Sequence, residues 1–265
     1  MKELLISLQF LTRIPVRITG SLSERQIGRS AIFFPFVGVV QGAAAACTAV
    51  FMDLLFNPEI AAGFVVVVPL LINGGFHIDG LADTVDGMSV KGTGEPSRDR
   101  ERRLTVMKDS SIGAMGAAAI AVLVLIKYLF ASGLIEKGLT WDVLFMIFFV
   151  PVFSKWIMVP VICHGKAARN DGLGKIFIAH GGTGVLLLSS VILAAIFACA
   201  SFALPEPSWR GTGKVFLLLF LSSYGLALLW VAFCQHKFGG LTGDTIGAVS
   251  EIGEILLFGI AFLCI

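Results

Sequence analysis

About seven long apolar stretches constrain this chain more than any other feature of its sequence. A bilayer core about 30 Å thick requires about 20 helical residues to cross it, and the stretches lie at 31–56, 60–78, 112–135, 141–163, 183–204, 215–235 and 249–265. Only 14% of the 265 residues are charged, against about 25% in soluble domains. We therefore predict an all-α, polytopic integral membrane protein of one domain, residues 1–265, with about seven transmembrane helices (six to eight).

Two of these stretches are weaker candidates for plain lipid-facing helices. The stretch 60–78 is interrupted by glycines and followed by Asp79, and the stretch 249–265 contains Glu251 and Glu254. Ionisable side chains within a membrane usually face a cavity or another helix rather than lipid. Either stretch can therefore be partly re-entrant or line a cavity.

The N-terminal segment predicts an interfacial helix rather than a signal peptide. Gln9 and Arg13 interrupt its apolar run, and no small-residue cleavage site follows. Pro15 is expected to end the helix. One face would lie in the headgroup layer, and it carries Leu4, Leu5, Leu8 and Leu11.

The distribution of lysine and arginine predicts a cytoplasmic N-terminus. With that orientation, 15 of the 20 basic residues lie in cytoplasmic connections and three on the opposite side, as the positive-inside rule requires. The net charge of +2 is too small to indicate a nucleic acid partner, so the expected large partner is the lipid bilayer. Four polar motifs then face the cytoplasm, at 73–87, 102–109, 164–174 and 239–254.

The first motif, NGGFHIDGLADTVDG, indicates a metal site. Asp79, Asp83 and Asp86 are spaced i, i+4, i+7 and share one helical face. Carboxylates this close repel each other unless a cation lies among them, and Mg²⁺ prefers such oxygen ligands. Gly80 and Gly87 leave room for a phosphate ester to approach the backbone. The alternative is that these aspartates cap helices and solvate a loop.

His77, in the same motif, has three interpretations. It can accept a proton, bind a metal, or be an interfacial histidine with no chemical role. The sequence does not choose between them.

The second motif, RRLTVMKDSSIGAMG, places basic groups directly before a span. Arg102, Arg103 and Lys108, followed by Asp109, are suited to a diphosphate. Basic residues at a cytoplasmic helix end are equally expected from topology and from anionic lipid headgroups. By charge alone, both interpretations stay open.

The last two motifs add further acidic and basic candidates. HGKAARNDGLG carries Arg169 and Asp171, and GGLTGDTIGAVSEIGE carries Asp244 followed by Glu251 and Glu254 at i+7 and i+10. An early and a late acidic helix face could converge on one or two metal ions, as in two-metal phosphoryl-transfer sites. The sequence thus predicts a composite site built from distant segments.

Six ordered motifs together resemble one known family. They read QFLTRIPV at 9–16, FPFVGVVQG at 34–42, GGFHIDGLADTVDG at 74–87, RRLTVMKDSSIGAMG at 102–116, ARNDGLG at 168–174 and GGLTGDTIGA at 239–248. From about residue 7 to about residue 254 the chain resembles the adenosylcobinamide-GDP ribazoletransferase family, also called cobalamin (5′-phosphate) synthase. It departs at Asp171, where glutamate is more common.

The resemblance implies a Mg²⁺-dependent, multi-pass enzyme of the bacterial inner membrane with a cytoplasm-facing active site. It would join adenosylcobinamide-GDP to α-ribazole or α-ribazole 5′-phosphate in cobalamin biosynthesis, releasing GMP. On this hypothesis Asp79, Asp83 and Asp86 bind Mg²⁺, with Asp244 as a further ligand, and His77 or a carboxylate accepts the hydroxyl proton. The phosphates would be bound by Arg102, Arg103 and Lys108. A monomer and a homo-oligomer both remain open.

Two other classes use similar patterns. A CDP-alcohol phosphotransferase or a UbiA-like prenyltransferase also holds Mg²⁺ and diphosphate with spaced aspartates, but the CDP-alcohol pattern expects DGxxAR where this chain reads DGLADTVDG. A cation transporter would place its carboxylates near the bilayer midplane. The predicted topology instead places them at one surface.

Overall fold

A computed structural model describes residues 2–203 and 209–265, with side chains described throughout except at 209–212. This part of the chain is helical and contains no strand beyond an isolated bridge between Ala167 and Leu241. In chain order the helices are α1 (Lys2–Leu11), α2 (Glu24–Arg29), a 3₁₀ helix (Ser30–Phe33), α3 (Phe34–Asp53), α4 (Pro58–Asn73), α5 (Phe76–Ser89), α6 (Pro96–Val106), α7 (Ala114–Glu136), α8 (Trp141–His164), α9 (Leu173–His180), α10 (Thr183–Phe202), α11 (Trp209–Phe238) and α12 (Gly243–Cys264).

Six helical segments in the described ranges are long and apolar enough to cross a membrane, which confirms the predicted fold class. They are Glu24–Asp53, Ala114–Glu136, Trp141–His164, Thr183–Phe202, Gly213–Phe238 and Gly243–Cys264. The first begins earlier than predicted because Ser23 and Gln26 form a capping box. The predicted end of the fifth stretch, residue 204, lies outside the described residues.

The second predicted span is not one straight helix. α4 and α5 meet at 90°, and the chain turns at Gly74 and Gly75, whose φ angles of 69° and 76° lie in the left-handed region. The Asn73 side chain accepts a hydrogen bond from the Gly75 amide at 2.8 Å. At 14 residues, α5 is about 21 Å long and too short to cross a bilayer alone. The stretch 60–78 is therefore not a plain transmembrane helix but a bent pair of helices, as expected for a partly re-entrant segment.

α8 lies at the centre of the bundle and packs against α3, α10, α11 and α12. Its contact with α3 is close because Gly38 and Gly42 face the backbone of Val152 and Phe148. Small residues that allow backbones to approach are the usual means of packing helices in lipid, where the hydrophobic effect does not drive association. α10 and α11 instead leave large apolar side chains exposed, such as Val191 and Leu229.

The N-terminal helix is confirmed as a helix but is packed on protein. It ends at Leu11 rather than at Pro15, and its buried residues are Ile6, Ser7 and Leu11. The Arg13 amide then donates to the Ile72 carbonyl at 2.7 Å. This bond attaches the segment that follows α1 to the α4–α5 bend.

Candidate active site

The acidic face of α5 lies against the first turn of α12. A Cβ at Gly80 would lie 2.7 Å from the Asp244 carbonyl oxygen and 3.0 Å from its Cα. Only a residue without a side chain permits this approach. Gly80 therefore has a packing role that places the Asp79–Asp83 stripe beside Asp244, two segments that are far apart in sequence.

Asp83 is the centre of the resulting acidic cluster. It is half-buried. The carboxylates of Asp79, Asp244 and Asp86 repel its negative charge, whereas the Arg169 guanidinium attracts it. Arg169 Nη1 lies 3.6 Å from Asp244 Oδ2, and Asp79 is exposed. The structure thus brings together Asp79, Asp83, Asp244 and Arg169, which the sequence had placed in three separate motifs.

Asp86 has a different local role. Its two oxygens accept hydrogen bonds from the amides of Gly113 and Gly116 at 2.7 and 2.8 Å, at the start of α7. A Cβ at either glycine would overlap this carboxylate. Asp86 therefore stabilises the N-terminus of α7, where a negative charge is favoured, and its role as a metal ligand stays a prediction.

The acidic cluster is open rather than arranged as a finished metal cage. Within the described ranges, no three His, Cys, Asp or Glu side chains lie close enough together to hold a metal ion. Mg²⁺ in phosphoryl-transfer sites is usually bound by one or two carboxylates, with substrate phosphates and waters as the remaining ligands. The carboxylates of Asp79, Asp83 and Asp244 fit such an arrangement by their donor chemistry.

His77 lies beneath the acidic face, not on it. Its side chain is fully buried, and neither ring nitrogen has a hydrogen-bond partner in the described part of the structure. Gly247 of α12 covers it, since a Cβ there would lie 3.3 Å from His77 Cα. A proton acceptor must reach the substrate hydroxyl, and His77 has no exposed surface for this in the present structure.

The predicted phosphate-binding residues do not converge on one point. Arg102 Nη1 donates to the Lys91 carbonyl at 3.2 Å, and Arg103 Nη1 donates to the Lys237 carbonyl at 3.0 Å. Lys108 Nζ lies 3.1 Å from Asp171 Oδ2. Of the predicted set, Lys108 alone lines the cavity that adjoins Arg169.

This cavity, the basic cavity hereafter, has a volume of about 460 Å³. Lys108 and Arg169 share it with Arg100, which the sequence interpretation had passed over. One helical turn separates Arg100 from Leu104, which also lines the cavity, but Leu104 is apolar, so helical spacing did not single out Arg100. The basic residues face a common space, and the full lining is Arg100, Glu101, Leu104, Thr105, Lys108, Ala168, Arg169, Phe238 and Gly239.

Three further predicted candidates have local structural roles. Asp109 accepts a hydrogen bond from the Ser111 amide at 2.9 Å, which lowers the pKa of Asp109. A Cβ at Gly87 would lie 2.7 Å from Met107 Cγ, so this glycine allows close packing. The hydrogen bond from Lys108 and its charge lower the pKa of Asp171, so this carboxylate stays ionised and paired with Lys108.

Glu251 and Glu254 do not belong to the acidic cluster. They lie two to three turns into α12, roughly 12 and 16 Å along its axis from Gly243, and both are buried. Lys127 of α7 bridges them, at 2.5 Å from Glu251 and 2.6 Å from Glu254. The prediction that these acids join Asp244 at a metal site is wrong, because lysines of α7 and α8 inside the bundle pair with them.

The second of those lysines completes a buried ionic network. Lys155 of α8 lies 3.3 Å from Glu254 and donates to the Ser250 hydroxyl at 2.9 Å. The Ser154 hydroxyl also donates to Glu254, at 3.1 Å. The network joins α7, α8 and α12, and we refer to Lys127, Ser154, Lys155, Ser250, Glu251 and Glu254 as the buried network.

Clustered acids beside a basic cavity, at one end of a helical membrane bundle, are the features that a membrane-embedded group-transfer enzyme requires. The chain belongs to the cobalamin-5-phosphate synthase family, whose sequence pattern matches residues 3–262. This confirms the resemblance seen in the six motifs and disfavours the prenyltransferase, CDP-alcohol and transporter alternatives.

Three curated relatives are similar to this chain over nearly their whole length, and each is named an adenosylcobinamide-GDP ribazoletransferase. The protein of Thermodesulfovibrio yellowstonii is 37% identical over 259 residues, covering 98% of this chain and 95% of its own. That of Geotalea daltonii is 36% identical, with coverages of 95% and 93%. That of Caldanaerobacter subterraneus subsp. tengcongensis is 34% identical, with coverages of 97% and 96%. No solved structure was found to match the chain.

Proposed function

We propose that this protein is an adenosylcobinamide-GDP ribazoletransferase. It joins adenosylcobinamide-GDP to α-ribazole or α-ribazole 5′-phosphate, giving adenosylcobalamin or its 5′-phosphate and releasing GMP. Membership of the family supports this reaction. The observation that carries the assignment of the site is the contact of Asp244 with Arg169, which joins the acidic cluster to the basic cavity.

In this proposal, carboxylates accept the proton and basic residues stabilise the leaving group. A ribazole hydroxyl oxygen forms a bond to the phosphorus that carries cobinamide, the bond from that phosphorus to the GMP oxygen breaks, and the hydroxyl proton passes to a carboxylate. Asp79 is exposed and Asp83 is half-buried, so either can accept this proton. Arg169, Arg100 and Lys108 stabilise the negative charge that develops on the departing GMP.

We further propose that the acidic cluster holds Mg²⁺. Asp79, Asp83 and Asp244 would bind it together with phosphate oxygens of the donor, because hard cations prefer carboxylate and phosphate oxygens. Asp86 is the weakest member of the predicted set, since two amides of α7 already donate to its oxygens. When bound, Mg²⁺ neutralises charge on the diphosphate.

We also propose that the site faces the cytoplasm from the inner membrane. The cluster and the basic cavity lie at the bundle end to which the sequence assigns most lysines and arginines. The positive-inside rule places that end on the cytoplasmic side. A diphosphate donor in the cytoplasm then reaches the site without crossing lipid.

Reconstituted protein tests the proposed reaction. We expect liposomes containing the enzyme to release GMP from adenosylcobinamide-GDP only when α-ribazole or its 5′-phosphate is present, with one corrinoid product formed per GMP. A chelator should stop the release, and added Mg²⁺ should restore it. GMP release that does not depend on ribazole would contradict the transfer reaction, and full activity in the chelator would contradict the metal assignment.

The ion pair between Lys108 and Asp171 predicts a change in donor affinity. Both side chains are more than half exposed, and such solvated pairs are weak. Asp171→Asn frees Lys108 for the donor phosphates, so we expect KM for adenosylcobinamide-GDP to fall by up to about fivefold. Initial-rate kinetics at saturating ribazole measure this. Asp109→Asn, which removes a charge but no ion pair, is the matched control, and a raised KM in Asp171→Asn would contradict the interpretation.

A further inference from the structure

A second polar cavity lies on the other side of the acidic cluster. Its volume is about 480 Å³, and it is formed where the chain after α1 meets the α4–α5 bend. We call it the Arg13 pocket. Asp79 forms part of its wall, so this acid lies between the Arg13 pocket and the rest of the cluster. The lining is Gln9, Phe10, Thr12, Arg13, Asn73, Gly74, Gly75, Phe76 and Asp79.

The Arg13 guanidinium is unpaired. In the described ranges, no hydrogen bond or ion pair of its side chain is found, although its backbone amide is fixed to Ile72. Its stem lies on Gly74, where a Cβ would overlap it. The left-handed turn and Arg13 are therefore fitted to each other. The Arg13 side chain is exposed where it lines the pocket, and a planar guanidinium with no protein partner among the described residues is suited to bind a phosphate through two parallel hydrogen bonds.

The other walls supply a different chemistry. Phe76 is 45% exposed, although it packs edge-to-face on Phe10 with ring centroids 5.5 Å apart. An open aromatic face suits stacking of a heteroaromatic base, which is largely insensitive to base identity. Asn73 accepts from the Gly75 amide through its oxygen, and its side-chain nitrogen is free to donate to a sugar hydroxyl.

The two cavities lie on opposite sides of one row of groups. Asp79 borders the Arg13 pocket, Asp83 is influenced by both Asp79 and Asp244, and Asp244 contacts Arg169 of the basic cavity. A transfer between two phosphate-bearing substrates requires one site on each side of the reacting phosphorus. The basic cavity has three cations for the diphosphate donor, which leaves the Arg13 pocket for the acceptor.

We infer that the Arg13 pocket binds the acceptor nucleoside, and that Arg13 recognises its 5′-phosphate and so selects the phosphorylated form. This inference rests on the proposed function. The phosphate of a lipid headgroup has the same chemistry, and the pocket is lined in part by α1, which the sequence predicts to lie at the membrane interface. The experiment therefore includes a lipid arm.

Replacement of Arg13 by methionine tests the inference, because methionine keeps an apolar stem over Gly74 and removes the charge. We expect the ratio of kcat/KM for α-ribazole 5′-phosphate to that for α-ribazole to fall by about 10- to 100-fold, the range for hydrogen bonds to charged groups. Arg13→Lys should give an intermediate ratio because it keeps the charge and loses the fork. Arg17→Met removes an exposed arginine outside the pocket and should leave the ratio unchanged.

Equal losses for both acceptors, or an unchanged ratio in Arg13→Met, would overturn the inference. In the lipid arm, phosphatidic acid is added to phosphatidylcholine liposomes. If phosphatidic acid competes with α-ribazole 5′-phosphate in the wild type but not in Arg13→Met, the pocket binds a lipid headgroup, and this result would also overturn the inference. Equilibrium binding of α-ribazole 5′-phosphate to the protein in detergent separates the two proposals: Arg13-dependent binding without GMP release would refute the reaction and keep the pocket.

Discussion

We expect Asp83→Asn to lower kcat for GMP release by roughly 10²- to 10³-fold, the loss typical of removing one group that stabilises transition-state charge. Asparagine has the same size and removes only the charge. Asp83 lies among Asp79, Asp86 and Asp244, so its loss weakens the proposed Mg²⁺ site at its centre. The measurement is GMP release in liposomes, titrated with Mg²⁺ to saturation.

Asp53→Asn is the matched control for this variant. Asp53 is the last residue of α3 and is exposed, and it belongs to no cavity or ion pair described above. We expect its turnover to stay within about twofold of wild type, as for most surface substitutions. Wild-type turnover of Asp83→Asn at saturating Mg²⁺ would remove Asp83 from the metal and proton-acceptor assignments.

Lys127→Met is expected to have the largest effect on stability. Its ammonium bridges Glu251 and Glu254, and both carboxylates are buried. Breaking a buried ion pair by removal of one partner costs about 3–5 kcal/mol, because the remaining charge has no compensation. Glu254 keeps Lys155, whereas Glu251 loses the one cation paired with it among the described residues. Thermal unfolding in detergent measures the effect.

Two further variants test whether the lost stability comes from the uncompensated charge of Glu251. Lys127→Met combined with Glu251→Gln removes one charge of each sign, and we expect it to recover most of the lost stability. Lys137→Met, at the residue directly after α7, is the control, since Lys137 is exposed and contacts the Phe262 carbonyl at 2.9 Å and its ring. If Lys127→Met unfolds at the same temperature as Lys137→Met, the buried network does not stabilise the bundle.

The helices were predictable because bilayer thickness fixes their length. An interruption at the glycines was predictable, but the direction of the bend between α4 and α5 was not, since the pair of glycines at 74 and 75 is compatible with a turn, a kink or a tightly packed helix. Its direction depends on two successive left-handed residues. The Asn73 oxygen stabilises this turn by accepting from the Gly75 amide.

The acidic stripe of α5 was predictable from helical periodicity alone. The separate role of Asp86 was not, because the amides that it binds lie 27 and 30 residues away in the chain. Periodicity also grouped Asp244 with Glu251 and Glu254, which share a helical face but lie at different depths. Their partners on α7 and α8 are distant in sequence, and local spacing carries no information about such pairs.

The buried network also sets an order for biogenesis. Lys127 and Lys155 enter the membrane on α7 and α8, and the described carboxylates that neutralise them lie on α12, which the ribosome makes later. A lysine at the centre of an isolated transmembrane helix costs about 2.5–3.5 kcal/mol on insertion scales. Until α12 is inserted, α7 and α8 therefore each carry a lysine whose charge is not neutralised. Translation that stalls before α12 would leave two inserted segments with uncompensated charge, a form that membrane quality control can recognise.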